Sequence, residues 1–180
     1  MGDKIVAFFL CCFFSLSVKG GEGEYAVAKI PAALLKNSNM VIRLENESVE
    51  LHSLTKLLLK RHFVITVLNE KGAKFARLVE FYDKFSEIKS IEGTLYDASG
   101  NKIKSLKSKD IEDFSGSSDN LADDNRYKMH NFYFKVYPYT VEYSIEEEKK
   151  ETMFFPSWTP VWDEYVSVEK SSLSIKDPKD

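Results

Sequence analysis

Short segments in which apolar and polar residues alternate with a period of two recur along this chain. One lies at 40–45 and another at 139–145, each with an apolar side chain at every second position. We find no long segment with the 3.6-residue period of an amphipathic helix. Because successive side chains of a strand point to opposite faces, the alternation predicts half-buried strands. The chain is therefore expected to fold as an all-β domain.

A longer apolar run at 57–68 has apolar residues on both of its faces, which is typical of a central strand buried on both sides or of an inner strand of a sandwich. The turn 69–72 follows, and Phe75–Tyr82 is predicted to return as the hairpin partner of that strand. A second hairpin turn is predicted at 97–101, where the Asp97 side chain can bond the backbone two residues on. Successive strands with tight turns favour a single-domain antiparallel β-sandwich with one or two short helical turns.

The predicted helical turns follow Pro31, which can open a helix, and Ser108, which can cap a turn over Lys109–Phe114. The stretch 115–126 is rich in Ser, Asp and Asn, has little to bury, and is predicted to be a surface loop. The charged run Glu146–Lys150 is predicted to be the solvated tip of a hairpin.

The chain's two cysteines, Cys11 and Cys12, lie in an N-terminal apolar run that follows Lys4. A basic residue, about a dozen apolar residues and small residues in succession are typical of a secretory signal. We expect residues 1–20 to be a signal peptide, residues 21–176 the β-sandwich domain, and residues 177–180 a disordered tail. The expected location is periplasmic or secreted, and lipidation or an uncleaved membrane anchor is the alternative.

Removal of residues 1–20 would leave no cysteine, and so no disulfide, thiolate ligand or cysteine nucleophile. The formal net charge is −3, and Lys and Glu are interspersed without a basic stripe. Nucleic acid is therefore not an expected partner. After cleavage of the signal, no stable membrane span is expected either.

Candidate catalytic and metal-binding residues are sparse. The three histidines, His52, His62 and His130, have no spacing that would pair them on one helix or strand, and His52 and His62 are expected to be ordinary surface side chains. His130 with the nearby loop acids Asp119, Asp123 and Asp124 is a weaker alternative, since their spacing matches no calcium loop. There is no G-x-S-x-G nucleophile elbow, and carboxylates are dispersed evenly. We expect no catalytic residues, metal or cofactor, and no enzyme activity.

Aromatic residues crowd the C-terminal third of the chain. The candidate binding residues are Trp162, Trp158, Tyr137 and Tyr139. Exposed Trp and Tyr rings bury apolar area while keeping a polar edge, which suits peptide or glycan binding. The alternative is that Tyr139 and Trp158 lock the two sheets together; Trp162, among polar neighbours, is the better candidate for an exposed ring.

Several motifs in order resemble one bacterial family. They are FVITVLNEKG (63–72), YDKFSEIKSIEGTLYDASGNKIKSL (82–106), YPYTVEY (137–143), FFPSWTP (154–160) and VSVEKSSLSI (166–175). Together they are similar to the domain of unknown function found N-terminal to transglutaminase-like domains in exported bacterial proteins. The resemblance spans about residues 25–175.

The resemblance implies an antiparallel β-sandwich outside the cytoplasm, with the Cys-His-Asp machinery of the family in the domain that follows. No residue of this chain matches a catalytic motif. The expected function is a non-catalytic binding or accessory module whose partner is a peptide, a glycan or a transglutaminase-like domain. The alternative is a truncated N-terminal part of an enzyme whose Cys-His-Asp domain is missing here.

Overall fold

The structure, a computed structural model, describes residues 23–116, 125–150, 152, 157–161 and 163–177. These residues form two packed β-sheets with a few short helices, which confirms the predicted all-β sandwich. The predicted signal peptide 1–20 and residues 178–180 of the predicted tail lie outside the described residues. Within the described part, no helix has the length and apolarity needed to cross a membrane.

The large sheet has the strand order β10-β1-β2-β8-β4-β5, and β9 also pairs with β1. Its strands are β1 (Met40–Ser53), β2 (Lys56–Val67), β4 (Ser86–Tyr96), β5 (Lys102–Ser105), β8 (Tyr139–Lys149), β9 (Val166–Val168) and β10 (Ser171–Lys176). The small sheet has the order β3-β7-β6, with β3 (Leu78–Tyr82), β7 (Arg126–His130) and β6 (Glu112–Ser115).

Most neighbouring strands run antiparallel, but β9 and β10 run parallel to β1 along one edge of the large sheet. The alternation of side chains is the same in parallel and antiparallel strands, so it does not reveal strand direction. Arg43 on β1 forms an ion pair with Glu169, which lies between β9 and β10: Arg43 Nε donates to Glu169 Oε2 at 2.6 Å. Arg43 therefore ties the C-terminal edge to the sheet.

The helices are short. A 3₁₀ turn at Val27–Lys29 precedes α1 (Ala32–Leu35), which follows Pro31 as predicted. Further 3₁₀ turns occupy Glu70–Ala76 and Ser108–Asp110. Ala26 and Ile30, on either side of the first 3₁₀ turn, are buried, while the strands supply most of the core.

The main core lies between the two sheets around the fully buried ring of Tyr143. The predicted alternation at 139–145 is confirmed, because Tyr139, Val141, Tyr143 and Ile145 all belong to this core. A smaller cluster of Val49, Leu57 and Leu59 lies at the other end of β1 and β2. The central position predicted for the 57–68 run is also confirmed, since β2 lies between β1 and β8.

Several local predictions are wrong. Phe75–Tyr82 is not the hairpin partner of β2, because a 3₁₀ turn leads its last residues into the small sheet, where β3 pairs with β7. Lys109–Phe114 is not a helical turn: the 3₁₀ turn ends at Asp110, and Glu112–Ser115 pairs with β7 as β6. Glu146–Lys150 is not a solvated tip, because β8 continues through Lys149 between β2 and β4.

The predicted turn at 97–101 is confirmed in detail. Asp97 accepts hydrogen bonds from the backbone N–H groups of Ser99 and Asn101, at 2.9 and 2.8 Å. Gly100 has φ +80°, which a residue without Cβ adopts at little cost. The predicted 115–126 loop is described only at its ends, where the Gly116 N–H donates to the Asn125 carbonyl at 2.6 Å.

Candidate functional site

The aromatic residues predicted to bind a ligand do not form one exposed cluster in the described structure. Tyr139 is a core residue, 2% exposed, and the half-buried Tyr137 packs its ring 5.5 Å from that of Tyr139. Trp158 is 42% exposed, and its indole N–H donates to Ser171 Oγ on β10 at 3.0 Å. Trp162 lies outside the described residues. The placement of Tyr139 matches the alternative in which this ring holds the sheets together.

A different set of rings crosses the small sheet on the side away from the core. Phe81 on β3 and Phe114 on β6 each lie directly opposite Tyr127 on β7. The ring centroids of Phe81 and Tyr127 are 5.9 Å apart, and those of Phe114 and Tyr127 are 5.1 Å apart in a stacked arrangement. Phe81 is 72% exposed and Phe114 is 37% exposed. We call this row, with Val79 and Met129 beside it, the aromatic face.

The aromatic face follows from strand alternation in β3, β6 and β7. In β3, Leu78 and Glu80 are buried while Phe81 is exposed, so side chains of odd number point outward. The register then places Val79 opposite Met129, next to the row of rings. Sequence reasoning missed the face because it assigned β3 to the other sheet and β6 to a helical turn. The signal available was the alternation itself, once those strands were paired.

A polar network on the inner side of the small sheet joins its three strands. The Asp113 carboxylate on β6 accepts hydrogen bonds from Tyr82 Oη, Arg126 Nη2 and Lys128 Nζ at 2.8, 3.0 and 2.7 Å. The hydrogen bond from Lys128, with those from Tyr82 and Arg126, lowers the pKa of Asp113 to about 2. The network therefore holds the strands that carry the aromatic face in one register.

A cavity of about 520 Å³ opens beside the aromatic face, lined by Phe81, Phe85, Tyr127, Arg126 and Lys149 among others. Phe85 is 45% exposed, so apolar surface continues from the row of rings into the cavity. The lining also contains the Asp83 carboxylate, and its cations Arg126 and Lys149 already pair with Asp113 and Glu147, so the cavity combines aromatic walls with charges of both signs.

Glu142, on the opposite face of the large sheet, is the centre of another hydrogen-bond network. Tyr25 Oη and Tyr96 Oη donate to its carboxylate at 3.2 and 2.6 Å, and His62 Nε2 lies 2.8 Å away. Burial raises the pKa of Glu142, but the hydrogen bonds from Tyr96, His62 and Tyr25 outweigh it and the pKa is lowered. Burial and Glu142 raise the pKa of Tyr96 to about 12. The network fastens the segment that carries Tyr25 to the sheet.

His130, the weaker candidate for a cation ligand, is a core residue. This residue is 3% exposed, its Nδ1 lies 2.8 Å from Tyr143 Oη, and its ring packs edge-on against Phe132. The polar residues that precede His130 in the sequence give no indication that the inner face of β7 packs against the core. Asp119, Asp123 and Asp124, the alternative cation ligands, lie outside the described residues. Among the residues that are described, no group of His, Cys, Asp or Glu side chains is arranged to hold a metal ion.

Comparison with solved structures supports the fold. The crystal structure of a protein from Parabacteroides distasonis ATCC 8503, described as a candidate protease, is similar at a TM-score of 0.56 and 10% identity. The match covers 64% of this chain and 24% of that protein, so the chain spans about a quarter of its length. Yeast LTA4 hydrolase in complex with bestatin matches over 61% of this chain and 14% of its own, with 8% identity and a TM-score of 0.30, which is too low to carry an argument.

No curated protein matches the chain significantly. The family model DUF3857, described as a domain of unknown function with a solved structure, matches residues 58–180. The matched region contains β3, β6 and β7, and therefore the whole aromatic face. Placement ahead of a transglutaminase-like domain and a bacterial origin stay predictions. The match covers more than half of the chain, which belongs to the DUF3857 family of domains of unknown function.

Proposed function

We propose that this chain is a non-catalytic accessory domain of an exported transglutaminase-like or protease system. Its aromatic face binds the catalytic domain that it serves. The observation that carries the proposal is the exposed row Phe81–Tyr127–Phe114, which crosses all three strands of the small sheet. Apolar patches of this kind on a soluble domain mark interaction sites more often than single exposed residues do.

The composition of the aromatic face favours a protein partner over a sugar. Aromatic residues and Met are enriched at protein interfaces, and this face combines three rings with Met129 and Val79. Its rings pack against one another across the strands, which presents a continuous surface. Side chains held in one register by the Asp113 network lose little conformational entropy on binding.

The comparison supports the accessory role. The candidate protease from Parabacteroides distasonis contains this fold as about a quarter of its chain, so the fold occurs there within a longer protein. Export rests on the signal-like run at residues 1–20. A peptide or a glycan remains the competing partner, and the test below separates these outcomes.

Site-specific photocrosslinking in the producing cells tests the proposal. A photoreactive phenylalanine is placed at Phe114, and a matched variant carries it at Leu54, a 91% exposed residue at the β1–β2 hairpin. We expect Phe114 to crosslink a protein with a Cys-His-Asp domain, identified by mass spectrometry, and Leu54 not to do so. No protein adduct at Phe114, or the same adduct at equal yield from Leu54, contradicts the proposal.

A second candidate is that the domain is the N-terminal part of a longer enzyme. The comparison with the Parabacteroides distasonis structure favours this candidate, because the match covers only 24% of that longer chain. The aromatic face would then pack against a domain of the same polypeptide. Intact-mass measurement of the protein from its native source decides the matter: a mass well above 20.7 kDa favours this candidate, and a mass at or below it removes it.

A further inference from the structure

A second cavity, of about 470 Å³, lies between the two sheets next to β1, β2, β3 and β8. One wall is apolar and consists of Ile42, Leu59, Phe63, Ile65, Phe75 and Leu78. The other wall carries charged side chains, among them Glu147 and Lys149 from the run that was predicted to be a hairpin tip. The cavity is distinct from the one beside Phe85, although Phe81 and Lys149 border both.

Glu147 and Arg61 are the two side chains of this cavity that hold a buried polar atom without a hydrogen-bond partner among the described residues, Oε1 in Glu147 and Nε in Arg61. Glu147 is only 4% exposed, and within the described structure its Oε1 atom accepts no hydrogen bond. The nearest cation, Lys149 Nζ, is 3.6 Å from that atom and retains access to solvent. A buried carboxylate oxygen without a donor is costly, so this atom is positioned to accept from a group that enters the cavity.

The charges around the cavity do not balance. Among the described residues, its lining carries the carboxylates of Glu45, Glu47, Glu80 and Glu147 and the cations of Arg61, Arg77 and Lys149. His62 also borders the cavity, but its Nε2 is directed to Glu142. Four carboxylates therefore face three cations, and the cation that pairs with Glu147 is the partly exposed Lys149. Another of these ion pairs joins Arg61 to Glu80; the Glu80 side chain is buried, whereas that of Arg61 is partly exposed.

The group that would balance the charge of the cavity is an organic cation and not a metal ion. A divalent ion needs several oxygen or nitrogen ligands around one point, and the described side chains offer no such group. An ammonium or guanidinium group needs fewer partners, and its alkyl chain would lie along Phe63 and Ile65 on the apolar wall. A long basic side chain meets both requirements.

The cavity also runs along a strand edge. The consecutive residues Leu78, Val79, Glu80 and Phe81 all line it, although neighbouring side chains of a strand point to opposite faces. Within the described residues β3 pairs with β7 on one side only, so its other edge borders the cavity. An extended chain can add to such an edge and point alternate side chains inward.

We propose that the cavity binds a lysine or arginine side chain of an extended peptide, which lies along the free edge of β3 and places its cationic group at Glu147. The binding site shares Val79 and Phe81 of β3 with the aromatic face, but its charged wall does not belong to that face. Burial raises the pKa of Glu80 and of Glu47, which shows that the cavity holds negative charge at a cost. A bound cation would offset that cost.

Calorimetric titration with a short capped peptide tests this proposal. The peptide has lysine at its centre and valine and threonine around it, and the comparison peptide has norleucine, which keeps the alkyl chain but lacks the ammonium group, in place of lysine. We expect the lysine peptide to bind at least about tenfold more tightly than the norleucine peptide, because the cation gains a buried charged partner. Equal affinity, or no binding of the lysine peptide, overturns the proposal without requiring any variant protein.

The matched variants are Glu147→Gln and Glu148→Gln. Glu148 is the next residue on β8, its side chain points to the opposite face, and it pairs with Lys56 at 2.9 Å. We expect Glu147→Gln to weaken binding of the lysine peptide about tenfold and Glu148→Gln to leave it unchanged. Equal effects of both variants, or none from Glu147→Gln in a folded protein, overturn the assignment. Butylamine has the alkyl chain and the ammonium group of lysine but no peptide backbone. If it binds as tightly as the lysine peptide, the backbone does not pair with the β3 edge.

Discussion

Tyr143 Oη and His130 Nδ1 lie 2.8 Å apart in the core between the sheets, where both side chains are almost completely buried. The two residues belong to β8 of the large sheet and β7 of the small sheet, so this hydrogen bond joins the layers of the sandwich. Burial, and then the positive charge of Lys104, lowers the pKa of His130, while Asp110 acts in the opposite direction. The small sheet is therefore held to the large one by a neutral imidazole.

The first prediction concerns acid stability. An unfolded histidine has a pKa of about 6.5, so below that pH the unfolded chain binds more protons at this residue than the folded one. The stabilisation is complete above pH 6.5 or so and is lost as the pH falls toward the lowered folded pKa. We expect the free energy of unfolding, from urea titrations between pH 7.5 and 5, to decrease over this window.

The variant His130→Gln identifies the source of that pH dependence. Glutamine keeps a polar side chain near Tyr143 but does not titrate, so the decrease between pH 7.5 and 5 should be smaller in the variant. His52→Gln is the control, because His52 is an exposed side chain at the end of β1. An unchanged pH dependence in His130→Gln would show that other groups cause it.

A second prediction concerns Arg43. Its guanidinium is 7% exposed, pairs with Glu169, and also donates to the Tyr25 carbonyl at 3.3 Å. Arg43→Met should destabilise the protein by about 2 to 3 kcal/mol, because Glu169 and that carbonyl lose a buried donor. Lys60→Met, which breaks an exposed pair with Glu50 at 3.5 Å, should cost less than about 1 kcal/mol. Urea unfolding measures both, and similar losses would contradict the role of Arg43.

A third prediction concerns Gly93, which lies opposite Tyr143 on the neighbouring strand. A Cβ atom at this position would be 2.9 Å from Cδ1 and Cε1 of the Tyr143 ring. Gly93→Ala should destabilise the protein by about 2 kcal/mol, because the fully buried ring has nowhere to move. Thermal unfolding measures the loss, with Ser90→Ala, an exposed position on the same strand, as the control. A Gly93→Ala protein as stable as the control contradicts the packing described here.

A fourth prediction concerns the aromatic face. Asp113→Asn removes the anionic acceptor shared by Tyr82, Arg126 and Lys128, so the β6 edge should open more often. We expect faster amide hydrogen exchange in β6. The free energy of global unfolding should fall by less than about 1 kcal/mol, because this network is partly exposed and screened by solvent. Above about pH 4 the wild-type chain keeps the benefit of the carboxylate, and acidification toward the pKa of about 2 should abolish the difference from Asp113→Asn.

The local sequence pattern was sufficient to predict the features that depend on a single strand and its apolar residues. The alternation at 139–145 placed Tyr143 and its neighbours correctly in the core, and the two-sided apolar run identified β2 as central. The turn at 97–101 was also predictable, because Asp97 and Gly100 act within the turn itself. These features depend only on residues close in sequence.

The local sequence pattern did not predict the features in which side chains contact residues of strands that are distant in sequence. Glu147 lies in a run of charged residues, and nothing local indicates that Arg61 and Glu80 meet in the interior beside it. Phe81, Phe114 and Tyr127 are likewise unremarkable until the small sheet is assembled and its register brings the rings together.

From its sequence alone, this chain is determined to be a β-rich domain with defined strand faces, because side-chain alternation is a property of each strand by itself. Only the tertiary structure decided which strands pair, and hence where the aromatic face and the charged cavity lie. The physical reason is that sheet pairing joins residues far apart in sequence, and the burial of a charged group depends on the partners that those pairings supply.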